Sequence, residues 1–148
     1  MLVKTYTRHD FTIFYFDKYG TYSDLVDAIN SYIDAGTTSY ELFFFDSDAR
    51  FITPEQVKKI ATVAAKAAKV RAPGGKTALM YGRVSLYGLG RIYKVVEAKI
   101  IDKNWSTRVF KKLDEALDWL NISEKLITET IKESNVTEVN TKIPYLRE

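Results

Sequence analysis

The chain has no cysteine, one histidine and three prolines among its 148 residues. Without cysteine there is no disulfide framework, no thiolate nucleophile and no Cys-ligated metal. The single histidine, His9, stands between Arg8 and Asp10 in a turn-like stretch, so neither a histidine-dependent metal site nor a catalytic triad is expected. No run approaches the roughly eighteen apolar residues that a bilayer span requires. The opening Met1-Leu2-Val3-Lys4-Thr5-Tyr6 lacks the charged-then-apolar layout of a secretory signal. Together with the missing cysteines, this points to the cytoplasm. What is present suits one domain with a sizeable core: 46% hydrophobic residues, 14% aromatic, with eight Phe and ten Tyr.

The net charge of +3 hides a strong segregation. Residues 1–57 carry a balance of −5 and residues 113–148 one of −4, whereas residues 58–112 hold 14 basic side chains against only Glu97 and Asp102. A basic middle can serve nucleic acid, anionic lipid or an acidic protein partner. No nucleic-acid motif accompanies it, and the aromatics sit in apolar strands and helix faces rather than among arginines. The expectation is therefore no nucleic acid. The basic helices should pack beside acidic ones, with their charges paired on the surface.

Two β-rich runs, Val3–Thr7 and Phe11–Phe16, suggest an N-terminal hairpin turning at Arg8-His9-Asp10. Leu25, Val26, Ile29, Tyr32 and Ile33 then repeat at helical spacing up to Gly36, a helix stop. Tyr40–Phe45 is short and nearly all apolar, which reads as a central strand covered on both faces. Thr53-Pro54-Glu55-Gln56 has the layout of a capping box, opening a helix that should run to about Lys69. Ala72-Pro73-Gly74-Gly75 breaks it. A strand over Thr77–Tyr81 follows, then a helix carrying Leu86, Leu89, Tyr93, Val96 and Ile100. A strand over Thr107–Phe110 and a short helix over Leu113–Leu120 come next. Alternation of strand and helix from Tyr40 onward predicts an α/β sheet with largely parallel later strands. Residues 1–121 make up this domain. Residues 122–148 add a helix starting near Ser123 and an irregular tail.

The glycine motifs do not reach a nucleotide site. Gly74-Gly75-Lys76-Thr77 enters a strand rather than opening a helix, and Val70 stands where a phosphate loop has its first glycine. Gly88-Leu89-Gly90 lacks a third glycine, because Tyr93 occupies its place, so close packing is the expected use of these glycines. One constellation follows from topology. If the strands ending at Phe45 and Tyr81 are parallel neighbours, their loops share the carboxyl edge of the sheet, where ligands bind in open α/β folds. Those loops would gather Asp46, Asp48, Arg50, Arg83, Ser85, Tyr87 and Arg91 as candidate ligand-binding residues. Arg83 and Arg91, near a helix N-terminus, could receive an anion, or the arginines could simply pair with Asp46 and Asp48.

Phe43-Phe44-Phe45-Asp46-Ser47-Asp48 resembles the motif of haloacid-dehalogenase-type phosphatases, in which the first Asp is the nucleophile and both help hold Mg²⁺. Arg50 replaces the Thr or Val of that family, and no later strand ends in paired acids. As a whole the chain resembles the SpoIIAA-like proteins, a branch of the STAS (anti-sigma-factor antagonist) fold related in shape to the lipid-binding SEC14 domain. The likeness rests on the Phe-Phe-Phe-Asp strand end, Gly75-Lys76-Thr77-Ala78, Tyr87-Gly88-Leu89-Gly90-Arg91-Ile92 and Val109-Phe110-Lys111-Lys112-Leu113-Asp114-Glu115-Ala116-Leu117-Asp118-Trp119-Leu120. It covers residues 10–121.

The resemblance implies a bacterial α/β domain without known enzymatic chemistry, with a mixed sheet, no cofactor, no metal and a tendency to form homodimers. Antagonists of that family carry a phosphorylatable serine at the start of the helix after the central strand. Here Thr53 stands in that place and is the candidate phosphate acceptor. The functional expectation is a non-enzymatic, regulatory binding module that works through a protein partner or self-association. A carrier of a small apolar or lipid-like ligand is the alternative, and a Mg²⁺ phosphatase the remote one.

Overall fold

A computed structural model describes residues 3–8, 10–16, 20–46, 53–81, 84–100 and 104–134, with side chains except those of residues 3–6, 8, 84–89, 100 and 130–134. Five strands form one sheet in the order β1 (Val3–Arg8), β2 (Phe11–Phe16), β3 (Tyr40–Phe45), β4 (Lys76–Tyr81), β5 (Ser106–Phe110). The hairpin pair β1–β2 is antiparallel, and β2 through β5 are parallel. The mixed α/β sheet with an N-terminal hairpin is therefore present. The turn residue His9 and the tail beyond Ser134 lie outside the described residues.

The connecting helices are α1 (Tyr22–Ala35), α2 (Pro54–Ala64) and α3 (Val84–Ile100), each joining one parallel strand to the next. Crossovers of one hand, advancing in one direction along a sheet, place all their helices on the same face. That face buries Phe14, Phe16, Phe45, Leu79 and Tyr81 beneath Leu25, Ile29 and Tyr32 of α1 and Val57 and Ile60 of α2. The opposite face buries Ile13, Leu42, Phe44 and Met80 under α4 (Leu113–Leu120) and α5 (Glu124–Ser134). With both faces covered, β2 and β3 need apolar side chains on each side, which explains their unbroken aromatic runs. Neighbouring strands stack these rings: Phe14 on Phe43 at 4.2 Å and Phe45 on Tyr81 at 4.6 Å between centroids. α5 lies against β1 and buries Ile127 among Leu117 and Leu120, so the appended helix shares the core of the sheet.

Local chemistry sets the helix ends. Thr21 with Asp24, and Thr53 with Gln56, each form a reciprocal capping box. Asn121 closes α4 in the left-handed conformation, at φ 59°. The single helix expected to run to Lys69 instead stops at Ala64 and continues as a 3₁₀ turn over Ala65–Lys69. The tighter winding leaves Val70 in solvent and Arg71 buried. Gly90 is the close-packing glycine anticipated on α3. A Cβ there would lie 2.5 Å from Tyr81 Cε2 and 2.9 Å from Val109 Cγ1. Trp119 of α4 is pinned from the sheet, with the Lys76 ammonium 5.1 Å over its ring and donating to its carbonyl at 2.9 Å.

Candidate functional site

Phe45 and Tyr81 are register partners on adjacent parallel strands, so the loops that follow them do leave from one edge of the sheet. Asp46 sits there half-buried, and the Tyr15 hydroxyl donates to its Oδ2. Asp48, Arg50 and Arg83 lie outside the described residues, and Ser85 and Tyr87 fall in the first turn of α3 with undescribed side chains. Arg91 is two turns farther on, about 10 Å along the axis from the start of α3. It is exposed, on the outward stripe of the helix rather than at its N-terminus. Thr53 is exposed, and its Oγ1 accepts from Gln56 N at 3.2 Å, so the candidate phosphate acceptor serves as the cap of α2.

The most elaborate polar assembly lies at the opposite, amino end of the sheet. Thr7, Thr12, Glu41, Thr77 and Thr107 are successive register partners and cross all five strands as one row, on the face beneath α1–α3. Glu41 is 5% exposed, and Arg71, delivered by the turn after α2, is 4% exposed. Arg71 Nη1 lies 3.1 Å from Glu41 Oε1 and donates to Thr77 Oγ1 at 2.7 Å. Nε donates to Thr38 O, and Nη2 to Ser39 O and Lys76 O. The guanidinium also lies 4.9 Å from the centroid of the Trp105 ring.

Glu41 accepts in addition from Thr77 Oγ1 at 2.8 Å and from the Tyr32 hydroxyl at 2.5 Å. The Tyr32 oxygen accepts from Thr38 N at 2.7 Å. A hydroxyl relay through Thr38 and Thr12 then reaches Thr7 at the surface. Close approach is possible because residue 75 is glycine: a Cβ there would sit 2.5 Å from Ser39 O and 3.1 Å from Arg71 Nη2.

Burial pushes the Glu41 carboxyl above the usual carboxylate range, while Arg71 and the hydroxyls of Tyr32 and Thr77 pull it back. Burial, and then the Glu41 charge, raise the Tyr32 phenol well above its ordinary value. Glu97 of α3 is fully buried and takes a hydrogen bond from Tyr93, whose phenol is raised by burial and then by the Glu97 charge. A cavity of about 30 Å³ lies between these groups, lined by Tyr32, Glu41, Arg71, Thr77, Tyr93 and Trp105. That is room for about one or two waters. With every guanidinium nitrogen hydrogen bonded, the cluster clamps α1, the turn after α2, β3 and β4 together.

This cluster was missed in the sequence because Glu41 and Arg71 are 30 residues apart. One signal was present: each parallel strand carries a polar residue, Thr12, Glu41, Thr77 or Thr107, at its second position.

The outer surface of the same helical layer behaves differently from the expectation of paired charges. α2 packs against α3, and both are basic. Lys58, Lys59, Lys66 and Lys69 are exposed on α2 and its 3₁₀ extension, and Arg91, Lys94 and Lys99 on α3. Among the described residues their only ion pair is Lys58 with Glu55 at 3.8 Å. The acidic helix α1, with Asp24, Asp27 and Asp34, is separated from α3 by α2. Lys66 reaches across to α1, but to Asn30 Oδ1. Linear segregation survives folding because sequential crossovers place sequential helices side by side. The two exposed large hydrophobics among the described residues, Val70 at 59% and Val95 at 57%, belong to this basic layer as well.

No family model, no curated protein and no solved structure matches the chain. None of the described helices is long and apolar enough to cross a membrane.

Proposed function

We propose that this chain is a non-enzymatic α/β binding module with a regulatory role, of the kind its resemblance to the SpoIIAA-like branch of the STAS fold implies, and that it acts through a protein partner. The observation that carries the reading is the α2–α3 layer, where, among the described residues, six of the seven exposed cations have no ion partner and two valines stand in solvent. Charge left in solvent without a counter-ion adds little to stability and stays available to a charged partner. The buried ionic cluster supports the same reading, since its polar groups are spent on one another.

A carrier of a small apolar ligand needs an enclosed space of several hundred Å³, which the cavity beside Arg71, at about 30 Å³, does not supply. Native mass spectrometry of the purified protein, repeated under denaturing conditions, tests the choice. A bare chain or a bare homodimer is expected. A reproducible small-molecule adduct that denaturation strips off overturns the binding-module reading in favour of the carrier.

A further inference from the structure

We propose that the α2–α3 face docks an acidic amphipathic protein segment, seated over Val95 and held by the lysines of the two helices. The inference rests on the binding-module reading and names the chemistry of the partner. α2 and α3 each return from the carboxyl edge of the sheet to its amino edge, so they run parallel and side by side. Neighbouring helices leave a groove between their ridges in which a further helix packs. On α3 the exposed stripe is Arg91, Lys94, Val95, Ala98 and Lys99, an apolar centre flanked by cations. An apolar centre with a charged rim is the anatomy of a protein–protein contact. The exposed cations of this face, unpaired among the described residues except for Lys58, steer an acidic chain to it and set its register.

Other occupants fit less well. A second copy turned face to face would offer Asp24, Asp27 and Asp34 of α1, three carboxylates against seven cations. The exposed Asp114, Glu115 and Asp118 of its α4 lie on the opposite side of the sheet, so they would reach this face only in a head-to-tail contact that builds rings or filaments. Turning this layer onto itself so that α1 meets α3 also sets α2 on α2, lysines against lysines. Nucleic acid would satisfy the charges but gain nothing from Val95, and no aromatic ring is fully exposed on the described part of this face for bases to stack on. An anionic bilayer rewards bulky Trp, Phe or Leu on the docking face. This face offers Val95.

In-cell photo-crosslinking tests the proposal, with p-benzoylphenylalanine replacing Val95 in one strain and replacing Asp114, exposed on the opposite side of the sheet, in another. The expected result is a protein adduct from position 95 whose crosslinked peptide is rich in Asp and Glu. Its yield should fall about tenfold or more when Lys94→Glu and Lys99→Glu are added, as like charges meet across the contact. An unchanged melting temperature shows that the charge-reversed chain is folded. Protein adducts from position 114 alone overturn the proposal but leave the binding-module reading standing. Adducts to nucleic acid or lipid at position 95, a neutral or basic peptide there, or a yield indifferent to the charge reversal also overturn it. No protein adduct from either position overturns both.

Discussion

Arg71 and Lys94 both belong to the basic middle of the chain and both sit in the helical layer on one face of the sheet, yet their surroundings are opposite. Arg71 is buried, donates from all three guanidinium nitrogens and faces Glu41 at 3.1 Å. Lys94 stands in water on α3 with no ion partner among the described residues. A charge taken out of water must be paired and fully hydrogen bonded, or its desolvation is not offset. A charge left in water needs no partner and contributes little to stability. The first kind of site holds the fold, and the second is available to another molecule.

The largest effect should come from breaking the buried half of this pair. Arg71→Ala leaves Glu41 buried without its counter-ion and should cost about 3–5 kcal/mol in urea unfolding. Arg71→Met combined with Glu41→Leu removes both charges and should regain most of that loss. If the single and double variants are equally unstable, the ion pair is not what the cluster depends on. Gly75→Ala strikes the same region sterically. With its Cβ 2.5 Å from a backbone oxygen, it should cost about 1–3 kcal/mol, read as a lower denaturation midpoint.

The buried phenols give a pH signature of the interior. Tyr32 and Tyr81 are raised above the ordinary value, chiefly by burial, so the native state binds their protons more tightly than the unfolded chain. Their contribution to stability is complete below a pH of about 10 and is lost as the pH climbs above it. In an alkaline absorbance titration these two and Tyr93, which is raised as well, should ionise last, together with unfolding. Tyr32→Phe should leave Tyr81 and Tyr93 as late components.

The smallest stability effect belongs to the outer face. Lys94→Glu with Lys99→Glu should shift unfolding by no more than about 0.5 kcal/mol, while the position-95 crosslink falls about tenfold or more. A large loss of stability would show that these lysines support the fold and would dissolve the contrast with Arg71.

Much of the architecture was legible because it rests on local and periodic signals. The capping box at Thr53, the doubly covered run Tyr40–Phe45 and the helical spacing from Leu25 to Ile33 each correspond to an observed element. The adjacency of β3 and β4, which the candidate edge site required as a condition, is also observed. The candidate edge site was legible only as a list of residues. Asp46 is tied to Tyr15, a partner 31 residues away on another strand, and Arg91 lies on the exposed stripe of α3, two turns from the helix N-terminus. The buried ionic cluster could not be read at all from neighbouring residues.

By itself the sequence determined the element order, the two-sided sheet and the exclusion of cysteine chemistry, because hydrophobic period, caps and composition act within a few residues of one another. It also determined that one third of the chain would be strongly basic. Only the tertiary structure decided which of those charges would be buried and which left in solvent. That choice depends on strand register, which aligns Thr12, Glu41 and Thr77 in one row. It depends also on the turn that brings Arg71 under the helical layer. Register and crossover are long-range pairings, and no local pattern encodes which distant side chain will lie opposite.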